Sequence, residues 1–218
     1  MGMITLVSDI FEAIKNIKLT DRVFIVGSGP NGLEYYDKIP FDCDTIALNT
    51  TVTYPRIWNW WMAHDTQMVR YGWWKDFEVP KETNILFGRM LYDKPAARRY
   101  NVKYTFQHKK PQDNIPKKKY REGVGTNFQE GMLYGYTTIA NAAMQFAYFA
   151  GCRDIVLCGV DMKGGNHFDG FVNINPKFSG IWKVVFNVQQ TCDYLVNVKS
   201  TKVSTLSDTA LKLDRFHL

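Results

Sequence analysis

Short runs of apolar, β-rich residues separated by polar turns recur along this chain, and their length is typical of strands. The runs at 23–26 and 154–158 do not alternate between polar and apolar residues, which indicates parallel strands covered on both faces. We predict strands over 23–26, 45–49, 58–65, 84–88, 102–107, 154–158 and 195–198. Strands joined by crossover segments predict an α/β fold with a mostly parallel sheet.

Three segments, 8–18, 135–151 and 180–194, have apolar residues at helical spacing. The middle one is apolar nearly all round, so we predict a buried crossover helix. Thr137 or Thr138 would cap its start and Gly151 its end. The free N–H groups at its start would form an anion site. Residues 201–218 have no pattern that places them.

A glycine-rich turn, Gly27-x-Gly29-x-x-Gly32, follows the first predicted strand. Such a turn lets the backbone approach a ligand, and the helix after it favours an anion. A dinucleotide fingerprint would also need an acidic residue at the end of the second strand, which ends here in Asn49. Pro40 keeps the intervening helix short. The turn therefore predicts a nucleotide phosphate rather than FAD or NAD; a tight turn without a ligand is the alternative.

Polar or glycine residues end three predicted strands, at Gly27, Asn49 and Asp65. In an open parallel sheet the ligand crevice lies along the carboxyl ends of the strands. Three such strand ends in register predict a binding site there. A second interpretation, compatible with the first, is that His64 and Asp65 cap a helix over 66–74.

The composition indicates one globular domain over 1–218, because apolar residues make up 45% and aromatic residues 15% of the 218 residues. No stretch approaches the ~20 apolar residues of a membrane span. Residues 1–17 lack the pattern of a signal peptide. The four cysteines form no CxxC pair, so we expect reduced thiols and a cytoplasmic protein.

Much of the net charge of +6 is concentrated in a segment at 109–127 that has no periodicity. Its basic residues are Lys109, Lys110, Lys117, Lys118, Lys119 and Arg121. We predict a mobile basic loop, which serves either as a lid over the site or as a solvated surface. Contact of 109–121 with an anionic membrane surface is a further prediction, whereas no motif indicates nucleic-acid binding.

The order of these motifs resembles a known group of enzymes. The Gly-Ser-Gly-Pro-Asn turn comes first. A strand that ends in Leu-Asn follows, and then a strand that ends in His-Asp. A threonine-rich helix start precedes the last motif, Gly-Cys-Arg-Asp-Ile-Val-Leu-Cys-Gly-Val-Asp at 151–161. Over 22–169 the chain resembles the bacterial CMP-sialic-acid-dependent sialyltransferases of the Campylobacter lipooligosaccharide type. It is also similar to the related family that includes the motility accessory factors of flagellin glycosylation. The resemblance implies a single-domain, Rossmann-like, three-layer fold.

The resemblance further implies that a CMP-activated sugar lies in the crevice as the donor substrate, with no separate cofactor. We expect no metal ion, because we identify no Asp-x-Asp pair for a nucleotide-bound cation. The residues that would bind the donor are Gly27, Ser28, Gly29, Asn31, Asn49, Asp65, Thr137, Thr138, Gly159 and Asp161. The turn would lie against the nucleotide phosphate. Asn49 matches an asparagine that contacts the donor, whereas Asp65 stands where the family has another asparagine. The threonines fall at the family's Thr-Ser-Gly position, beside the base and the donor carboxylate.

This sequence differs from the pattern of the sialyltransferases at two places where that family has catalytic residues. The family's phosphate-binding tyrosines are replaced by Lys163 and by Asn166 or His167. The family's catalytic histidine has no match, since that region is Asn-Pro-Lys-Phe-Ser-Gly at 175–180. His167 is then the candidate base, and Lys163 would neutralise the leaving phosphate as a point charge.

These features predict a metal-independent glycosyltransferase that uses a nucleotide-activated acidic sugar, CMP-sialic acid or CMP-Kdo, and a glycan or glycolipid acceptor. One alternative is a pterin-type pyrophosphokinase that uses ATP and Mg²⁺, with Asp65 and Asp161 at neighbouring strand ends as cation ligands. The other is a catalytically inactive module that binds anionic ligands through 109–121.

Overall fold

A parallel sheet forms the centre of the computed structural model, which describes residues 8–106, 133, 138–162 and 181–218, with side chains from 184 in the last range. Within these residues the strands are β1 Ser8–Asp9, β2 Arg22–Val26, β3 Asp44–Leu48, β4 Trp60–Ala63, β5 Asn84–Gly88, β6 Tyr104–Phe106, β7 Asp154–Cys158, β8 Lys202–Thr205 and β9 Asp214–Arg215. Their order is β1-β6-β5-β4-β3-β2-β7-β8-β9, and every pairing is parallel. The predicted mostly parallel sheet is therefore confirmed.

Helices cover both faces of the sheet, which gives the three-layer α/β architecture that the resemblance implied. The α-helices are α1 Ile10–Ala13, α2 Arg89–Tyr92, α3 Ile139–Phe149 and α4 Ile181–Asn197. In the described part of the chain, five connections contain 3₁₀ segments: Ile14–Asn16, Pro30–Lys38, Asn49–Thr53, Thr66–Arg70 with Gly72–Lys75, and Pro95–Arg99. The segment after the glycine turn is thus a short 3₁₀ helix, as Pro40 led us to expect.

The two faces bury different cores. On one face α3 and α4 pack aliphatic residues against the alternate side chains of the strands. On the other face aromatic rings fill the space, and the Trp61 ring lies with its centroid 4.7 Å from that of Phe87 and 5.0 Å from that of Tyr100. Large rings of this kind bury much apolar area per residue. Short 3₁₀ segments therefore suffice to cover this face.

The chain leaves β2 and β7 toward opposite faces, which places the topological switch point between them. After β2, the segment Pro30–Lys38 packs Tyr36 into the aromatic core. After β7, the chain returns through α4, whose Val188 belongs to the aliphatic core. In open α/β sheets ligands bind outside the carboxyl ends of the strands at this point.

Two sequence predictions were wrong in detail. The run at 195–198 is not a strand, because α4 continues to Asn197 and the last strands are β8 and β9. The segment 8–18 begins with β1 and contains only the short α1 and a 3₁₀ turn. The other predicted strands and both long helices are present, with bounds that differ by a few residues.

Candidate functional site

The glycine turn after β2 packs directly against the chain that leaves β7. The N–H of Gly27 donates to the carbonyl of Cys158 over 2.8 Å, and the N–H of Gly29 donates to the carbonyl of Gly159 over 2.8 Å. A β-carbon on Gly29 would lie 2.5 Å from the Gly159 oxygen, closer than side chains tolerate. Gly159 itself has a φ of 66°, which favours glycine. The glycines therefore make room for the protein's own backbone, and their contact with a phosphate stays a prediction.

Asp161 binds the start of the 3₁₀ helix that follows the turn. Its side chain is buried, with 7% exposed. Its Oδ2 accepts a hydrogen bond from the N–H of Asn31 over 2.9 Å. A carboxylate is stabilised by the positive end of a helix, as a phosphate would be. Asp161 thus supplies a negative charge at the position where the sequence of the turn predicted an anion. Ser28 lies half-buried between Gly27 and Gly29.

Asn49 follows β3 directly and has two unusual features. Its φ is 48°, a left-handed conformation that is uncommon for residues other than glycine. Its side-chain Oδ1 is buried, and no group in the described residues donates a hydrogen bond to it. Strained backbone and an unsatisfied buried acceptor are both characteristic of ligand sites. A ligand that binds here would bring a hydrogen-bond donor to Asn49.

Asp65 follows β4 and caps the next 3₁₀ helix. Its Oδ1 accepts a hydrogen bond from the N–H of Gln67 over 2.8 Å, which confirms the capping interpretation. Two strands, β3 and β2, separate the end of β4 from the end of β7. At a strand spacing of ~4.8 Å, Asp65 and Asp161 are attached about 14 Å apart across the sheet. The expectation that these two carboxylates end neighbouring strands is therefore wrong.

The other acidic residues in the described part of the chain do not form a cation site at this edge. The expectation that the chain has no Asp-x-Asp pair is wrong, because Asp42 and Asp44 form one. They stand at the amino end of β3, where Asp44 accepts a hydrogen bond from the N–H of Thr20 over 2.7 Å. Within residues 8–106, 133, 138–162 and 181–218, histidine, cysteine and acidic side chains form no group of three that could hold a metal ion.

Thr138 caps α3, as the sequence predicted. Its Oγ1 accepts a hydrogen bond from the N–H of Ala140 over 3.3 Å. A short connection joins the end of α3 to the start of β7, so α3 runs antiparallel to the strands and Thr138 lies at their carboxyl edge. The helix contacts β2, β3 and β4. Its first turn also contains the fully buried Asn141, whose side-chain polar atoms have no hydrogen-bond partner among the described residues.

Three predicted site residues lie outside the described residues. They are Thr137, Lys163 and His167, and the basic segment at 109–127 lies outside as well. The catalytic pair and the predicted lid therefore stay predictions. The other predicted site residues are described, and all of them lie at the carboxyl edge of the sheet. They are Gly27 to Asn31, Asn49, Asp65, Thr138, Gly159 and Asp161.

Sequence reasoning missed a segment of the site at 207–210. The hydroxyl of Ser207 accepts a hydrogen bond from the N–H of Gly159 over 2.7 Å. The N–H of Ala210 donates to the carbonyl of Asp161 over 2.9 Å. A surface depression of about 440 Å³ lies beside this segment, lined by Pro30, Asn31, Leu33, Glu34, Asp208 and Arg215. No local pattern indicates these contacts, because they join residues that are far apart in the chain.

Cys43, Cys152, Cys158 and Cys192 are all free thiols. Among the helices described, none has both the length and the apolar composition to cross a membrane.

Comparisons with known proteins show a shared fold. No family model matches the chain, and neither does any curated protein. A variant of the sialyltransferase CST-II in complex with CMP is 13% identical, with 88% of this chain and 85% of that chain covered at a TM-score of 0.50. The sialyltransferase CstII from Campylobacter jejuni in complex with CMP-3FNeuAc is 14% identical over 90% of this chain and 88% of that chain, with a TM-score of 0.43.

The monofunctional alpha-2,3-sialyltransferase Cst-I from Campylobacter jejuni is 15% identical over 98% of this chain and 85% of its own, with a TM-score of 0.41. At its TM-score of 0.50, the CST-II variant in complex with CMP has the fold of this chain. The resemblance to the Campylobacter sialyltransferases is confirmed at the level of the fold, whereas similarity to the motility accessory factors stays a prediction.

Proposed function

We propose that this protein is a glycosyltransferase that transfers an acidic sugar from a CMP-linked donor, CMP-sialic acid or CMP-Kdo, to a hydroxyl of a glycan or glycolipid. The shared fold with a CMP-bound sialyltransferase supports this proposal. The donor-binding candidates among the described residues lie at the carboxyl edge of the sheet, and this supports the proposal independently, because that edge is where α/β folds bind nucleotides.

Asn49 is the observation that carries the proposal. Its buried Oδ1 is an acceptor, so the matching ligand group must carry a proton. A fully ionised phosphate has none, whereas the hydroxyls of the ribose and of the donor sugar do. Asn49 Oδ1 therefore contacts a proton-bearing group of the donor and not its phosphate, and among the hydroxyl and amino groups of a CMP-linked sugar we assign a hydroxyl.

The reaction is a displacement at the anomeric carbon of the donor sugar. The acceptor hydroxyl oxygen forms a bond to this carbon while the bond from the carbon to the phosphate oxygen breaks, and CMP leaves. His167 takes the proton of the acceptor hydroxyl as general base. Lys163 and the start of α3, at Thr138, stabilise the negative charge on the leaving phosphate. These assignments require no metal ion.

The two alternative functions have less support. A pyrophosphokinase would need Asp65 and Asp161 on the same Mg²⁺, but calcium and magnesium ligands lie within ~2.6 Å of the ion and these residues are attached about 14 Å apart. Asp161 also uses one carboxylate oxygen to bind the N–H of Asn31. A binding module that works through 109–121 has no support from the described residues.

Calorimetry with CMP, UMP, GDP, FAD and NAD tests the proposal, and ATP with and without Mg²⁺ tests the pyrophosphokinase. We expect CMP to bind, EDTA to leave its affinity unchanged, and the dinucleotides not to bind. No heat with CMP but binding of a dinucleotide would contradict the assignment, and so would Mg²⁺-dependent binding of ATP alone. Incubation with CMP-sialic acid and a glycan acceptor, followed by measurement of released CMP, tests turnover.

A further inference from the structure

Asn141 carries a buried side-chain amide in the first turn of α3. The residue is fully buried. Neither its Oδ1 nor its Nδ2 has a hydrogen-bond partner among the described residues. A helical side chain leans toward the N-terminal end of its helix. The amide of Asn141 therefore lies toward the start of α3, which Thr138 caps at the carboxyl edge of the sheet.

Gln145 is the other amide residue of α3, and it has a partner within the helix. It is 1% exposed, and its Nε2 donates a hydrogen bond to the carbonyl of Asn141 over 3.1 Å. The remaining buried residues of α3 are all apolar. The helix thus provides a partner for the side chain of Gln145 but not for that of Asn141.

An unpartnered amide in a protein interior lowers stability, because it loses its hydrogen bonds to water and gains none in return. Such groups are few in native proteins, and a functional role or an ordered water accounts for them. Asn49 Oδ1, after β3, is a second case at the same edge of the sheet. Because α3 packs against β3, the two unsatisfied side chains belong to adjoining elements, which favours a ligand over isolated waters.

The chemistry of the Asn141 side chain restricts the ligand group that can satisfy it. A carboxamide offers an N–H donor and an oxygen acceptor side by side. Both atoms are satisfied at once by a ligand edge that presents an acceptor and a donor side by side. A fully ionised phosphate has no donor, so it cannot fill this role.

We propose that Asn141 binds the nucleoside part of the donor, by pairing both atoms of its amide with such an edge. Two parts of CMP provide one: the ring nitrogen and amino group of cytosine, and the neighbouring 2′ and 3′ hydroxyls of ribose. Because Asn141 is fully buried, the nucleoside takes the place of groups that cover the side chain. The inference rests on the proposed function, since it takes the ligand to be a CMP-linked donor.

Substitutions at the two amide residues of α3 provide the test. Asn141→Leu keeps the branching of the side chain and removes both polar atoms, and Asn141→Ala removes them without overpacking. Gln145→Leu is the matched control, because Gln145 is a buried amide with a partner. Thermal unfolding measures Tm, and calorimetry measures the dissociation constants of CMP and 2′-deoxy-CMP.

The two positions should give opposite results. We expect both Asn141 variants to bind CMP about tenfold more weakly without a fall in Tm, because the lost amide has no partner in the fold. Gln145→Leu should lower Tm by about 2–4 °C through its lost hydrogen bond and leave the CMP affinity unchanged. If Asn141→Leu alone does not fold, overpacking is the cause, and Asn141→Ala decides.

The second ligand identifies the edge that Asn141 binds. Equal losses of affinity for CMP and 2′-deoxy-CMP would assign cytosine, whereas a loss with CMP alone would assign the ribose hydroxyls. Unchanged CMP affinity in both Asn141 variants would overturn the inference and leave an ordered water as the partner of the amide. A lower Tm in both would overturn it as well, since it indicates a structural hydrogen bond. A wild-type protein that binds neither nucleotide would instead refute the proposed function.

Discussion

The indole N–H of Trp61 donates a hydrogen bond to the carbonyl oxygen of Asn49 over 2.9 Å. Trp61 belongs to the aromatic core on one face of the sheet, whereas Asn49 stands at the carboxyl edge. The packing of a fully buried ring therefore fixes the backbone of a candidate ligand-binding residue in a left-handed conformation. Such a conformation costs about 1 kcal/mol for most residues with a β-carbon, although asparagine adopts it more readily than the others. The fold maintains this strain at a point where the side chain has no partner among the described residues.

Replacement of Asn49 by glycine should separate stability from binding. Asn49→Gly relieves the left-handed strain, so we expect the free energy of unfolding to stay within about 0.5 kcal/mol of the wild type or to rise. The affinity for CMP should fall about tenfold, because the amide is lost. Ser200→Gly is the control, since Ser200 has a φ of 51° at an exposed position after α4. It should stabilise the protein without an effect on CMP; unchanged CMP affinity in Asn49→Gly would contradict the assignment.

Substitution of Gly29 tests the contact between the two turns. In Gly29→Ala the new β-carbon would lie 2.5 Å from the carbonyl oxygen of Gly159, and closer still to the carboxylate of Asp161. Relief of such overpacking requires backbone shifts, and we expect a loss of about 1–3 kcal/mol in urea unfolding. Gly72→Ala is the matched control, because a β-carbon on the exposed Gly72 would meet nothing within 4 Å. Equal stabilities of the two variants would show that the turns are not packed as described.

Local patterns were sufficient for most of the fold. Buried strands such as Asn84–Gly88 have continuous apolar runs, and Thr138 and Asp65 lie before helices in positions that favour caps. The apolar run at 195–198 was wrongly predicted to be a strand. Leu195 is a buried residue on the core face of α4, whereas Val196 and Val198 are 44% and 59% exposed. Apolar residues on an exposed helix end were thus mistaken for a strand.

The candidate site was predicted only where local chemistry places a residue at a strand end. Asn49 and Asp161 were identified because each follows a recognisable strand. The role of Asp161 as the partner of Asn31 could not be predicted, since the two residues are 130 positions apart. Ser207 is 48 positions from Gly159, and the strand that precedes it, β8, is short and partly polar. Long-range contacts of this kind leave no periodic signal in the sequence.

Thr138 should contribute to stability through its cap. Thr138→Ala removes the oxygen that accepts the N–H of Ala140, and we expect a loss of about 1 kcal/mol in the free energy of unfolding. Thr138→Ser keeps an equivalent oxygen and should match the wild type. Thermal or urea unfolding of the three proteins measures this difference. If the serine variant lost as much stability as the alanine variant, the cap would not be the cause.

Buried thiols should make the protein less stable at alkaline pH. Burial raises the pKa of Cys152 to about 11, and it also raises the pKa values of Cys158 and Cys192. An ordinary thiol has a pKa of about 8.5, so above that pH the unfolded chain loses protons that the folded chain keeps. The buried thiols make their full contribution to the free energy of unfolding below about pH 8.5, and this contribution declines as the pH rises toward about 11.

Urea unfolding at about pH 7.5 and about pH 10 measures this decline, to which other groups also contribute. Cys152→Ala removes one of the buried thiols, so its decline between the two pH values should be smaller than that of the wild type. An equal decline in both proteins would show that Cys152 does not retain its proton in the folded state.

A crystal structure of the protein soaked with CMP tests the central claim most directly. We predict density for the nucleotide between the Gly27 turn and Thr138, with a hydroxyl of the ligand within hydrogen-bonding distance of Oδ1 of Asn49. Density on another surface, or none at saturating CMP, would contradict the assignment of the carboxyl edge as a CMP-sugar site.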